Sequence, residues 1–160
     1  MDKQARLDAV VRSAAKAMAP LDRLDEADLF QLLGSRITQC STAPTRSLSF
    51  DASVDKDDLV RGPELFELGQ RIFWRWSGTL HRFICSPSGD DADVKSQLIE
   101  AIGSKGGGLT ALTAGILVSS FGVSPAIAAV VAALLLKLVF QPAGDEICEF
   151  WGNKNAKRNL

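Results

Sequence analysis

Apolar residues Leu7, Val10, Val11, Ala14, Ala15 and Met18 recur at i, i+3, i+4, i+7, i+8 and i+11, which sets them on one stripe of an α-helix. Pro20 is expected to end it, since proline removes a backbone donor and crowds the preceding turn. A second amphipathic helix is expected from Asp25 to Gln39. Acidic residues open it, where they suit the positive end of the helix dipole, and Ala27, Phe30, Leu33 and Ile37 repeat at helical spacing. Residues 40–57 are rich in serine, threonine and aspartate and read as a long loop, with one short extended piece where Leu48, Phe50, Ala52 and Val54 alternate with polar residues. From Asp57 or Asp58 the helical period returns, with an early interruption at Gly62-Pro63. Leu65, Leu68, Ile72, Trp76, Leu80 and Phe83 then line one face, and Arg71, Arg75 and Arg82 lie off it. Ser86 to Asp91 form a turn cluster, and Val94, Leu98 and Ile102 support a short helix that stops at Gly103.

The pattern changes after Lys105. From Gly106 to Leu136 no residue is charged, a run of 31 positions. Within it Gly122-Val123-Ser124-Pro125 places a helix-ending glycine, a serine suited to cap the next helix and a proline for its first turn in the order that closes one helix and opens another. The expected halves run from Gly107 to Phe121 and from Pro125 to Phe140. Ala111, Gly115 and Ser119 form a row of small residues on the first half, and Ala128 with Ala132, or Ala129 with Ala133, form rows on the second; such rows let helix backbones approach closely. Ala126, Ala133, Lys137 and Gln141 fall near one face of the second helix and would give it a thin solvent-facing stripe. Gln141-Pro142 stops this helix. A short amphipathic segment from Asp145 to Trp151 and a polar, frayed tail from Asn153 follow.

These patterns predict an all-α fold, a small bundle of four to five helices with an apolar C-terminal hairpin. The organisation is an amphipathic helical domain (1–104), a glycine hinge (105–108), the hairpin (109–140) and a short amphipathic segment with a basic tail (141–160). Lys and Arg number 18 against 19 Asp and Glu, for a net charge of −1, a balance that argues against a nucleic-acid partner. Hydrophobic residues at 46% and a mean hydropathy of +0.08 exclude a disordered acidic chain. Cys40, Cys85 and Cys148 are odd in number and widely spaced, which suggests neither a disulfide framework nor a metal-binding pair and points to a reducing compartment. The first two dozen residues carry charges throughout and hold no secretory signal.

Candidate chemistry is sparse. His81 lies four residues before Cys85, a spacing that could bring imidazole and thiol together as a dyad. Asp51, Asp55, Asp57 and Asp58 lack the order of a calcium loop, and Gly103 to Gly108 lack that of a phosphate loop, so no metal or other cofactor is expected. Arg75 and His81, with five residues between them, resemble the Arg-x4-6-His signature of the helical HEPN ribonucleases. That resemblance implies an arginine and a histidine acting on RNA at a dimer interface, although Trp76 stands where the family carries a polar residue.

The apolar hairpin dominates the functional expectation. Its length and lack of charge predict a non-enzymatic protein embedded in a membrane as an anchor or oligomeric pore. Its small-residue rows would make lipid-buried or self-association contacts, Lys137 would snorkel or face a pore, and both termini would stay on the cytoplasmic side with residues 1–104 as a sensing or docking part. In layout alone this resembles the hydrophobic hairpin of pore-forming colicin domains. The alternative is a soluble cytoplasmic interaction module with the hairpin as its core, because a helix hydrophobic all round is buried either in lipid or in protein. Arg71, Trp74 and Trp76, in a segment that mixes cationic and aromatic side chains, would then form the surface for a protein partner.

Overall fold

The computed structural model describes residues 3–22, 24–42, 63–85, 96–98, 100–101, 109–140 and 147–158. Among these residues the fold is all-helical and contains no strand. Seven helical elements have full bounds, more than the four to five expected: α1 (Lys3–Asp22), α2 (Glu26–Thr42), α3 (Pro63–Cys85), α4 (Leu109–Phe121), α5 (Pro125–Leu135), a π-helical turn (Leu136–Phe140) and α6 (Ile147–Arg158). Residues 96–98 and 100–101 are helical as well, and Leu98 is buried. The expected loop beyond Thr42, the turn cluster at Ser86, the hinge at 105–108 and the break at Gln141-Pro142 lie outside the described residues.

The stripe on α1 is real at Leu7 and Ala14, which are buried, whereas Ala15 is exposed. Pro20 does not stop this helix, which runs on to Asp22. So near the end a proline forfeits only one late hydrogen bond, and the final turn tolerates it. α2 begins where its acidic residues predict: the Asp25 carboxylate accepts the Asp28 backbone N–H at 2.8 Å, and the Asp25 carbonyl accepts from Leu29 at 3.0 Å. Phe30 and Leu33 face inward, but Ala27 is exposed. The described part of α3 opens at Pro63; the expected helical start at Asp57 or Asp58 and the break at Gly62 lie outside the described residues.

Two helix–helix contacts organise the molecule. α2 and α3 meet at a reciprocal glycine crossing, where a Cβ on Gly34 would lie 2.8 Å from the Leu65 carbonyl carbon and one on Gly69 would lie 2.9 Å from that of Phe30. Only hydrogen at both positions lets the two backbones come so close. Phe30 then stacks edge-on against both Phe66 and Phe73, with ring centroids 5.5 and 5.6 Å away. α1 lies along α4, with Leu7 and Val11 seated over Gly115.

The turn between α4 and α5 follows its local chemistry. Gly122 takes a positive φ of 66°, and the Val123 N–H reaches back to the Leu117 carbonyl at 3.1 Å, the geometry of a glycine-ended helix. Ser124 stands at the N-cap position, but its hydroxyl makes no capping bond; its carbonyl accepts from Ala128 at 2.9 Å. α5 is then covered by α1, α2, α3 and α4, and every residue from Ala128 to Leu135 is buried. The expected solvent stripe is absent from the described part of this helix. Ala126 and Ala133 are 2% and 0% exposed, and Lys137 is half-buried; Gln141 lies outside the described residues.

Candidate functional site

The side chains that carry chemistry gather on α3, whose faces serve different partners. Its buried row is Gly69, Phe73, Ser77, Leu80 and Ile84. At 100° per residue this row is centred about 80° from the apolar row expected from the sequence. Leu65, Leu68, Ile72, Trp76 and Phe83 are half-buried instead, and of the expected row only Leu80 is fully inside. Glycine and serine carry no apolar signal, yet they stand where neighbouring helices press closest.

One edge of α3 is a clasp for α6, made by Ser77, His81 and Cys85 at i, i+4 and i+8. Cys85 and Cys148 form a disulfide. That bond corrects the expectation of unpaired cysteines and removes its argument for a reducing compartment, since such bonds persist in oxidising surroundings. It also leaves the proposed Cys85 and His81 dyad without a thiol. His81 Nε2 lies 3.0 Å from the Cys148 carbonyl oxygen, which can only accept, so the proton sits on Nε2. The same ring packs edge-on against Trp151 at 5.4 Å. Below it the Trp151 indole donates to Ser77 Oγ at 2.7 Å, and that hydroxyl donates to Asn155 Oδ1 at 2.9 Å. Trp151 is fully buried against the protein, also touching Phe140 at 5.5 Å, and α6 continues as helix to Arg158 where a frayed tail was expected.

The outward face carries Arg71, Arg75 and Arg82, all exposed. Arg75 and His81, six positions apart, project about 120° from each other around the helix, and His81 turns toward α6 rather than toward the arginine. Within one chain the two do not converge. Trp74 is half-buried edge-on against Phe73 at 4.8 Å, and Trp76 is half-buried against Phe121 at 6.1 Å. Of the expected partner surface, Arg71 alone is exposed.

The membrane-embedded hairpin is corrected by the structure. Among the described residues no helix is long and apolar enough to cross a membrane. The turn at Gly122 leaves α4 with 13 residues and α5 with 11, the latter extended by a π-helical turn of 5. At about 1.5 Å per residue neither arm matches a hydrocarbon core about 30 Å thick. The small residues expected to join the helices in lipid serve contacts within the protein: Ala111, Ala129 and Ala133 are buried, Gly115 receives α1, and Ser119 is exposed.

Nothing in the hydrophobic pattern singles out Arg36. It is 2% exposed, and one guanidinium nitrogen donates to the Ala126 carbonyl at 2.6 Å, tying α2 to the start of α5. Among the described residues no group of three or more His, Cys, Asp or Glu side chains converges as a metal site, and the aspartates from Asp51 to Asp58 lie outside them. No protein-family model, curated protein or solved structure matches the chain.

Proposed function

We propose that this chain is a soluble α-helical interaction module, a bundle in which the apolar hairpin is the core and the outward face of α3 meets a protein partner. The observation that carries this reading is the burial of α5 from Ala128 to Leu135 beneath α1, α2, α3 and α4. A segment with all its sides covered by its own protein has no apolar face left to offer lipid. On this reading the front helices and the hairpin form one cooperative unit. Among the described residues the Cys85 thiol is oxidised, and His81 holds α6 in place.

Ala129→Arg tests the core. Ala129 is 0% exposed, so arginine there adds bulk and an uncompensated charge to the interior, and the whole chain should lose its cooperative thermal transition in circular dichroism. A variant that keeps its far-ultraviolet spectrum and melts with wild type would show that the hairpin is not the core. Arg71→Glu is the companion surface change. It should leave the melt unchanged and weaken retention of the native partner, and a shifted melt would mean that this face is structural.

A further inference from the structure

The outward face of α3 has an internal order that names the chemistry of its partner, an inference that rests on the interaction-module reading. Arg71, Arg75, Gly78 and Arg82 lie within about 60° of one another around the helix. Gly78 falls between Arg75 and Arg82, and a Cβ placed on it would meet no heavy atom within 4 Å. The ridge of exposed arginines thus has a half-buried step without a side chain in its middle, with an arginine position to each side along the axis. Arg75 and Arg82 stand about 10.5 Å apart along the axis at 1.5 Å per residue, the spacing of positions i and i+7 on a second helix. Glu67, one turn before Arg71, partly offsets that arginine, and exposed Glu64 adds a second acid at the N-terminal end.

We propose that Arg75, Gly78 and Arg82 form a notch that docks an acidic helix of a partner protein, with two carboxylates at i and i+7 taken by the two guanidiniums. Arginine suits this task because its planar fork binds carboxylates in a bidentate way, and the missing side chain at Gly78 lets the partner backbone approach. An extended polyanion is a poorer fit. A nucleic-acid strand or anionic membrane running along α3 would meet Glu64 and Glu67 on the same face, and the net charge of −1 supplies no wider attractive field.

The test uses the full-length oxidised protein and a labelled helical peptide carrying glutamates at i and i+7, with the glutamine version of the same peptide as control. Fluorescence anisotropy should show saturable binding of the acidic peptide that weakens with salt, and no comparable binding of the control. Arg75→Glu with Arg82→Glu should weaken it by about tenfold or more, as should Gly78→Leu, which fills the notch. Gly78→Leu also raises helix propensity, so its melting temperature should hold or rise and lost binding cannot be put down to misfolding. Binding that survives Gly78→Leu, or equal binding of both peptides, overturns the proposal. Tighter binding of single-stranded RNA or phosphatidylglycerol vesicles through the same arginines, or a homodimer that excludes the peptide, also overturns it. Failure here with an intact Ala129→Arg result removes the notch and leaves the core reading standing.

Discussion

Replacing glycine by alanine at four helical positions should produce effects of different sign that follow from what each new methyl meets. In a helix interior the change is worth about 1 kcal/mol in favour of alanine, because glycine loses more backbone freedom on folding. At Gly78 nothing lies within 4 Å of the new carbon, so the full gain should appear as a rise of about 2–4 °C in melting temperature. At Gly34 the new carbon would sit 2.8 Å from the Leu65 carbonyl carbon and 3.0 Å from its Cα, and at Gly69 it would sit 2.9 Å from the Phe30 carbonyl carbon. These obstacles are backbone and cannot rotate away, so α2 and α3 must separate along their whole contact. Overpacking costs about 1–3 kcal/mol, and backbone against backbone belongs at the upper end. After the helix gain, each change should destabilise by about 2 kcal/mol and lower the melting temperature by about 4–8 °C. Gly115 is intermediate: the obstacle at 2.7 Å is the Val11 methyl, which can shift, so gain and loss should nearly cancel. Urea and thermal melts of the four variants settle the order. Equal stabilisation by Gly34→Ala and Gly78→Ala would refute the close crossing.

Removing the Cys85–Cys148 bond frees a loop of 63 residues in the unfolded chain, a change worth about 4 kcal/mol in the loop-entropy account. Urea titration with and without a dithiol reductant should show the midpoint falling accordingly, and an unchanged midpoint would mean that the bond does not form. Arg36→Ala deletes a buried side chain and its bond to the Ala126 carbonyl, so a loss of about 2–4 kcal/mol is expected in the same assay. A loss below about 0.5 kcal/mol would place Arg36 at the surface, where substitutions are nearly neutral.

The break between α4 and α5 was legible because its turn is local chemistry: Gly122 needs a left-handed conformation and Pro125 a first-turn position, and both signals sit within four residues. The start of α2 was legible for the same reason, through the Asp25 cap. Whether the apolar run sits in lipid or in protein was not, because both surroundings select the same side chains. What decides is the cover supplied by α1, α2, α3 and α4, which no window of sequence contains. The rotation of α3 was hidden by Gly69 and Ser77, small residues chosen for clearance and hydrogen bonding rather than hydropathy. The disulfide was hidden by distance, since nothing in the spacing of three cysteines says which two helix ends will meet. Arg36 looked like an ordinary polar position because its acceptor lies 90 residues away.

The seat of α1 on α4 has a consequence for how the chain acquires its structure. Leu7 and Val11 close over Gly115, roughly a hundred residues downstream, so the first helix has its partner far along the chain. During synthesis, which proceeds from the N-terminus at about 5–20 residues per second, the apolar stripe of α1 waits several seconds for α4 to exist. α2 and α3 are closer in sequence and can pair in that interval through their glycine crossing, leaving α1 to dock late. A slow step in refolding should therefore respond to substitutions at Val11 and Gly115, and a fast one to substitutions at Gly34 and Gly69.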